Sequence, residues 1–410
     1  MEDRHIPNDP DALQTLTHEP EALLRSALQR ILNSSPPQSN YTKAQLGGVL
    51  RGHTGIAYLF LQVYSSLPRL QIHGYSSLHW AQAYISGQRP GPLALEPGNC
   101  GLGSECLSHP AVKACITKDL NDVRIFLSSL PQILAPARQA RQSSAEGGMD
   151  VDGDTSLDPF PSDLLSGRAG TLYLLRLIRH WVPNSAPLVE LFIVHLTERI
   201  LATDDDGNGN WLFSGKHYLG SAHGDIGIIT QLVVTTPPLA PRLASKLESL
   251  LDLQLPDGNW PSSLSTDTDD TSPRKPKTEL IQWCHGAPGI IVSLLSLRPF
   301  FPKLWTKIDS AIEKGRQLTW ENGLLRKEPS LCHGILGNSL VFPPGQQREH
   351  FLAMATPEKI SEMRRKDDGM FQPAAYGKES MVLMGYDPSA AWTWLVCQRK
   401  MPRMLLYNDI

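Results

Sequence analysis

Apolar positions along the chain fall into helix-spaced runs broken by polar and glycine-rich stretches. Across residues 11–32, Leu13, Leu16, Leu23, Leu24, Leu28, Ile31 and Leu32 recur at intervals that gather side chains on one helical face, which predicts a helix there. Residues 33–41, rich in Ser, Pro and Asn, then read as a connector. The same spacing returns over 179–201 through Trp181, Leu188, Leu191, Phe192, Val194, Leu196 and Ile200. Prolines break the apolar runs at 295–304 and 336–345, and strand-like alternation is short and scarce.

One phrase punctuates these runs: Gly-x-x-Gly followed at once by apolar residues. It appears at Gly52–Gly55, Gly167–Gly170, Gly224–Gly227, Gly286–Gly289 and Gly334–Gly337. A weaker copy runs from Cys100 to Ser104, and a damaged one from Gly385 to Pro388 leads into Ala390, Ala391, Trp392 and Trp394. The closing glycines of the clear copies are Gly55, Gly170, Gly227, Gly289 and Gly337, and the weak copy falls inside the one long gap. A period of roughly 50 to 60 residues accommodates two helices and their connections, so each unit reads as a helical hairpin. A single Gly-x-x-Gly marks no more than close helix packing. Five in near register imply a repeat whose members bury one face only against their neighbours. The expected fold is all-α, an α/α toroid of about seven helical hairpins, with its glycine turns collected at one end.

Residues 1–410 are expected to form this one domain, with flexible insertions at 137–160 and 262–278, where large apolar groups are few. The chain is 41% hydrophobic with formal net charge −3, which excludes a basic nucleic-acid footprint. Met1-Glu2-Asp3-Arg4 opens no signal peptide, and Glu2 stands where myristoylation requires glycine. No apolar run reaches the roughly 20 residues of a membrane helix. Six cysteines in so long a chain do not suggest a disulfide framework. The expected location is therefore the cytoplasm, with the nucleus or a peripheral contact with the plasma membrane left open. Cys100, Cys106, Cys115 and Cys397 are expected to be buried small apolar residues.

Candidate chemistry lies in two of the repeats, Trp283-Cys284-His285-Gly286 and Leu331-Cys332-His333-Gly334. Cys-His pairs are soft-ligand pairs that first suggest zinc. Adjacent residues on a helix point about 100° apart, so both members of a pair can serve one ion only from a turn. Two arrangements fit: a closed Cys2His2 site, or three ligands with an open position that makes the metal catalytic. The members of each pair are adjacent and the two pairs lie far apart along the chain, which argues against a zinc finger. His223 precedes Gly224 as His285 precedes Gly286 and His333 precedes Gly334, so three histidines should share one rim. A histidine that exchanges its proton near pH 7 beside an open metal is a catalytic arrangement. Asp163, four residues before Gly167, suits two roles equally, orienting such a histidine or capping a helix.

At these residues the chain resembles the lanthionine synthetase C-like (LanC-like) family, in its eukaryotic branch. The resemblance rests on Trp283-Cys284-His285-Gly286-Ala287-Pro288-Gly289, Cys332-His333-Gly334 and Ser221-Ala222-His223-Gly224. It extends to Tyr218-Leu219-Gly220, Asp163 through Tyr173, Gly258-Asn259-Trp260-Pro261 and Gly323-Leu324-Leu325. The resemblance implies a seven-unit toroid with one Zn2+ held by Cys284, Cys332 and His333, a water filling the fourth place. It implies His223 as the acid-base residue, Asp163 as its carboxylate, and Arg4 and Lys327 as glutathione contacts. The implied reaction is zinc-dependent addition of glutathione to dehydroalanine or dehydrobutyrine residues of peptides or proteins, a transferase activity. The alternative is a zinc- and glutathione-binding scaffold without turnover. The chain departs from the family pattern in three places. Leu383-Met384-Gly385-Tyr386-Asp387-Pro388 replaces a Glu-Gly-x-x-Gly phrase, Leu280 stands where bacterial cyclases have arginine, and no C-terminal basic glutathione contact is found.

Two further motifs are set aside. Asp204-Asp205-Asp206-Gly207-Asn208-Gly209 resembles the start of a calcium loop, but its twelfth position is Gly215 and not glutamate, so a polar turn is expected. Asp267-Thr268-Asp269-Asp270 imitates the acidic cluster of terpenoid cyclases from inside a biased segment.

Overall fold

Every glycine turn opens a helix, and the helices so opened form an inner ring. The computed structural model describes residues 4–9, 11–91, 93–135, 159–264, 280–372 and 382–410. In chain order its helices are α1 (Pro20–Ser34), α2 (His53–Ser66), α3 (Ser77–Ser86), α4 (Glu105–Thr117), α5 (Leu120–Ser128), α6 (Leu130–Leu134), α7 (Arg168–Trp181) and α8 (Ala186–Leu201). They continue as α9 (Asp225–Thr235), α10 (Ala240–Asp252), α11 (Ala287–Leu297), α12 (Trp305–Asn322), α13 (Ile335–Ser339), α14 (Gln346–Met354), α15 (Pro357–Lys366) and α16 (Tyr386–Val396).

Helices α2, α4, α7, α9, α11, α13 and α16 are the inner members, and each packs on an outer partner: α3, α5, α8, α10, α12, α14 and α1 in turn. The last pairing ties the start of the chain to its end and closes the circle. Burial separates the two rings. In α2 every residue from His53 to Val63 is buried, whereas α10 buries only Ala240, Leu243, Leu247, Leu250 and Leu251. A helix apolar on all sides belongs inside, and one with a single apolar stripe belongs outside. The expected seven-hairpin toroid is the fold.

The turns are laced to one another at the rim by backbone hydrogen bonds. Val49 N–H donates to Leu102 O at 3.0 Å, Gly103 to Leu165 at 3.0 Å, Cys284 to Cys332 at 3.2 Å and Cys332 to Leu383 at 2.8 Å. Ala222 N–H reaches Cys284 O at 3.5 Å. The bore beneath is filled by residues 402–410. Leu405, Leu406 and Tyr407 are fully buried, and Asp409 accepts from the hydroxyls of Tyr58 at 2.7 Å and Tyr173 at 3.0 Å. Arg176, also buried, donates to Tyr407 O at 2.7 Å and to Gln231 Oε1 at 2.9 Å.

Four expectations change. The helix expected over 11–32 begins only at Pro20, because proline suits a first helical turn while residues 14 and 16 bond elsewhere. Gln14 and Leu16 donate their backbone N–H groups to His350 and Glu349 of α14. The insertion expected over 137–160 ends earlier, since Phe160 is buried and its carbonyl accepts from Arg168 at 2.6 Å. The stretch expected over 262–278 starts as a strand, Ser263–Leu264, paired antiparallel with the strand His217–Tyr218. The rest of both insertions, with Asp267–Asp270, lies outside the described residues. Finally, Cys106 is only half-buried, donating to Leu93 O at 3.6 Å.

The Asp204–Gly209 stretch is a polar turn. Asp204 accepts from Gly209 N–H at 2.8 Å, and Asp206 accepts from Asn208 N–H at 3.0 Å.

Candidate functional site

The fifth turn sets the geometry of the site. Gly286 has φ of 99°, open to glycine alone at little strain, and a Cβ there would stand 1.9 Å from Leu280 O. This reversal carries Cys284 and His285 onto the rim just before α11 begins. The sixth turn does the same for Cys332 and His333 ahead of α13, and their backbones are joined by the bond between Cys284 N–H and Cys332 O.

The two cysteines thus meet, side chain to side chain. Their thiols hydrogen-bond each other, and both are buried. That contact holds the Cys284 thiol below its ordinary range and Cys332 well above it, since the hydrogen bond between them favours the charged form of the first and the neutral form of the second. Gln282 adds to the effect by donating Nε2–H to Cys284 Sγ at 2.9 Å. His333 is 4% exposed, and burial pushes its imidazole down to about 4, so it is neutral as a metal ligand must be. His285 is likewise lowered to about 4, first by burial and then by the neighbouring His223.

Beside the fifth turn stands the fourth, with Ala222 N–H 3.5 Å from Cys284 O. His223 Nδ1 lies 2.8 Å from Asp163 Oδ2, a carboxylate whose side chain is 1% exposed. The same oxygen accepts from the backbone N–H groups of Leu165 and Ser166 at 3.0 Å each. Of the two roles read from its position, Asp163 takes the first: it holds the histidine and braces the local turn, while the N-cap of α7 is Gly167, with no side-chain cap. With Nδ1 engaged, Nε2 is left as the exchanging nitrogen of His223. Phe213 stacks on the ring at 4.1 Å, and the His285 ring lies 6.4 Å away.

The basic residues lie on the adjoining edge. Residues 4–6 run beside 324–326, with Ile6 N–H donating to Leu324 O at 2.7 Å and Arg326 N–H to Arg4 O at 3.1 Å. Lys327 is lowered by burial, an effect opposed by Cys284, and the charge of Arg4 also reaches it. Its ammonium donates to Gln282 Oε1 at 2.9 Å. All seven residues expected from the sequence thus belong to one rim. Sequence reasoning missed Gln282 and Phe213; Gln282 stands two positions before Cys284, a spacing that carries no signal by itself.

The donor set fits zinc by its chemistry: two soft sulfurs already in contact and a neutral imidazole on the next residue. The three do not stand as a closed cluster. Among the described residues, no three His, Cys, Asp or Glu side chains are grouped to hold a metal ion.

Comparison with known proteins decides the family. The family model described as "Lanthionine synthetase C-like protein" matches residues 49–343, well over half of the chain. The chain belongs to the LanC-like family. A LanC-like relative, "LanC-like protein GCL1" of Arabidopsis thaliana, is 27% identical over 59% of this chain and 53% of its own length. "Glutathione S-transferase LANCL1" of Danio rerio is 27% identical over 44% of this chain and 46% of its own. The chain spans about half the length of these curated relatives. In fold it is similar to "Nisin cyclase", with a TM-score of 0.53 at 14% identity over 93% of this chain and 94% of the other. No helix among the described residues is long and apolar enough to cross a membrane.

Histidines shielded from solvent also bear on acid stability. His109, on α4 with Nε2 3.3 Å from Ile85 O, is lowered by burial to about 4, as His285 and His333 are. A folded pKa below the unfolded value near 6.5 means that the unfolded chain binds more protons between the two. Their contribution is complete above about pH 6.5 and is lost as pH falls towards 4. The melting temperature of metal-free protein should therefore decline from pH 6.5 to pH 5, and His109→Gln should flatten part of that decline. A flat profile over this window would contradict the assignment.

Proposed function

We propose that this LanC-like protein adds a thiol, glutathione by preference, to dehydroalanine or dehydrobutyrine residues of peptides or proteins, at a zinc held by Cys284, Cys332 and His333. The observation that carries the reading is the meeting of two sulfurs from separate repeats on the rim that also holds the His223–Asp163 pair. Zinc bound there would supply an open position at which an incoming thiol loses its proton near neutral pH.

The chain's own residues do the rest. Arg4 and Lys327 offer cationic partners for the carboxylates of glutathione. Burial of Cys284 and Cys332 keeps water from the reacting sulfur and strengthens each charge nearby. As sulfur bonds to the β-carbon of the acceptor, the double-bond electrons move towards its α-carbon. His223 delivers the proton that the α-carbon takes up. Asp163 fixes the ring through Nδ1 and leaves Nε2 to serve the reaction. Phe213 keeps the imidazole flat against one wall.

The test is adduct formation between glutathione and a dehydroalanine peptide, read by mass. His223→Ala should retain zinc and slow the reaction by about 10² to 10⁴-fold, the usual worth of a general acid. Equal rates in the variant and the wild type would overturn the acid assignment. Absence of adduct with the zinc-loaded wild type would leave a binding protein.

A further inference from the structure

The Lys327–Gln282–Cys284 chain has a direction built into it. An ammonium is donor-only, so the atom of Gln282 that faces Lys327 Nζ at 2.9 Å must be its oxygen. The amide nitrogen is thereby turned to Cys284 Sγ, 2.9 Å away, and offers it an N–H. The carboxamide has little room to turn otherwise: Gln282 is 5% exposed, and its backbone N–H donates to His285 O at 3.1 Å across the same turn. Lys327 has three protons and needs only one for Gln282, which leaves others for an anion.

We propose that Gln282 is a positioning residue that joins the anion-binding Lys327 to the Cys284 sulfur. This rests on the reading that Cys284 is a metal ligand. An N–H aimed at a metal-bound sulfur draws electron density from it and orients its lone pairs. Gln282 thus sets how strongly Cys284 donates, and Lys327 sets the orientation of Gln282. A thiol substrate whose carboxylate engages Lys327 is sensed at the metal's own sulfur ligand, beyond what is gained by binding charge to charge.

Cobalt(II) loaded into the whole protein in place of zinc reads this directly, because its sulfur-to-metal charge-transfer band reports the state of the thiolates. Gln282→Met, which has similar volume but no amide, should retain one cobalt and shift the band to longer wavelength. It should also weaken zinc binding by roughly tenfold. Lys327→Met, which leaves the cysteines and Gln282 in place, should shift the band in the same direction. The double variant should show no more than the Gln282→Met shift, since both changes break one chain. A band unmoved by Lys327→Met, or two shifts that add, would overturn the proposal. Because Lys327 is only half-buried, that variant alone carries the test if Gln282→Met does not fold. A wild type that shows no thiolate–cobalt band overturns the metal reading itself, an outcome distinct from either.

Discussion

A Cys332→Ala protein is expected to emerge from purification with its zinc gone and its fold intact. Two consequences of this one substitution separate a metal site from a merely buried thiol. Removing one of the three proposed protein ligands would leave Cys284 and His333 as an incomplete set, and zinc sites are not held by two donors. Changes to the partners of metal ligands weaken affinity about 10- to 100-fold, so loss of a ligand should exceed about 100-fold. Metal analysis should read near one zinc per wild-type chain and near zero for the variant. Structurally the change is small: one sulfur is trimmed at the rim, while the backbone N–H of residue 332 keeps its bond to Leu383 O. An unchanged zinc content would remove Cys332 from the ligand set.

The largest effect on the fold itself is expected from Gly289→Ala. A Cβ at this position would lie 1.8 Å from Trp283 O and 2.7 Å from Ser221 Oγ. The first of these is backbone of the turn that bears Cys284, so it yields only if that turn moves. Overpacking in a rigid interior costs about 1–3 kcal/mol, and a contact this close should exceed the range. The variant is expected to unfold at a much lower temperature, or to fail to fold. If it melts within a degree or two of the wild type, the close approach of α11 to its own turn is misassigned.

These two positions show what the chain makes visible before folding. The glycine at 289 is spaced as in four other repeats because their inner helices approach the preceding turn closely, at Gly55, Gly170, Gly227 and Gly337 as at Gly289. Cys284, Cys332, His333 and His223 were legible for the same reason: they occupy equivalent positions beside those glycines. The seven-hairpin count followed once Cys100–Ser104 and Gly385–Pro388 were admitted as worn copies, and both now open inner helices.

Residues placed by partners far along the chain were not legible. Leu405, Leu406, Tyr407 and Asp409 plug the bore with no periodicity of their own, since their partners Tyr58, Tyr173 and Arg176 come from two separate helices. Leu13 and Leu16 matched a helical spacing, yet Pro20 and the bonds to α14 override it. Gln282 is polar, buried and unremarked by any motif, and its meaning arises only when Lys327 is folded against it. Phe160 was masked by the composition of the segment before it.

The most direct test of thiol addition at a rim-held zinc is one reaction followed by mass. Wild-type protein, glutathione and a dehydroalanine peptide are incubated after chelation and again after one equivalent of zinc is restored. The account predicts that the glutathione adduct is absent in the first sample and accumulates in the second. Adduct formation at the same rate in both, or in neither, would contradict it.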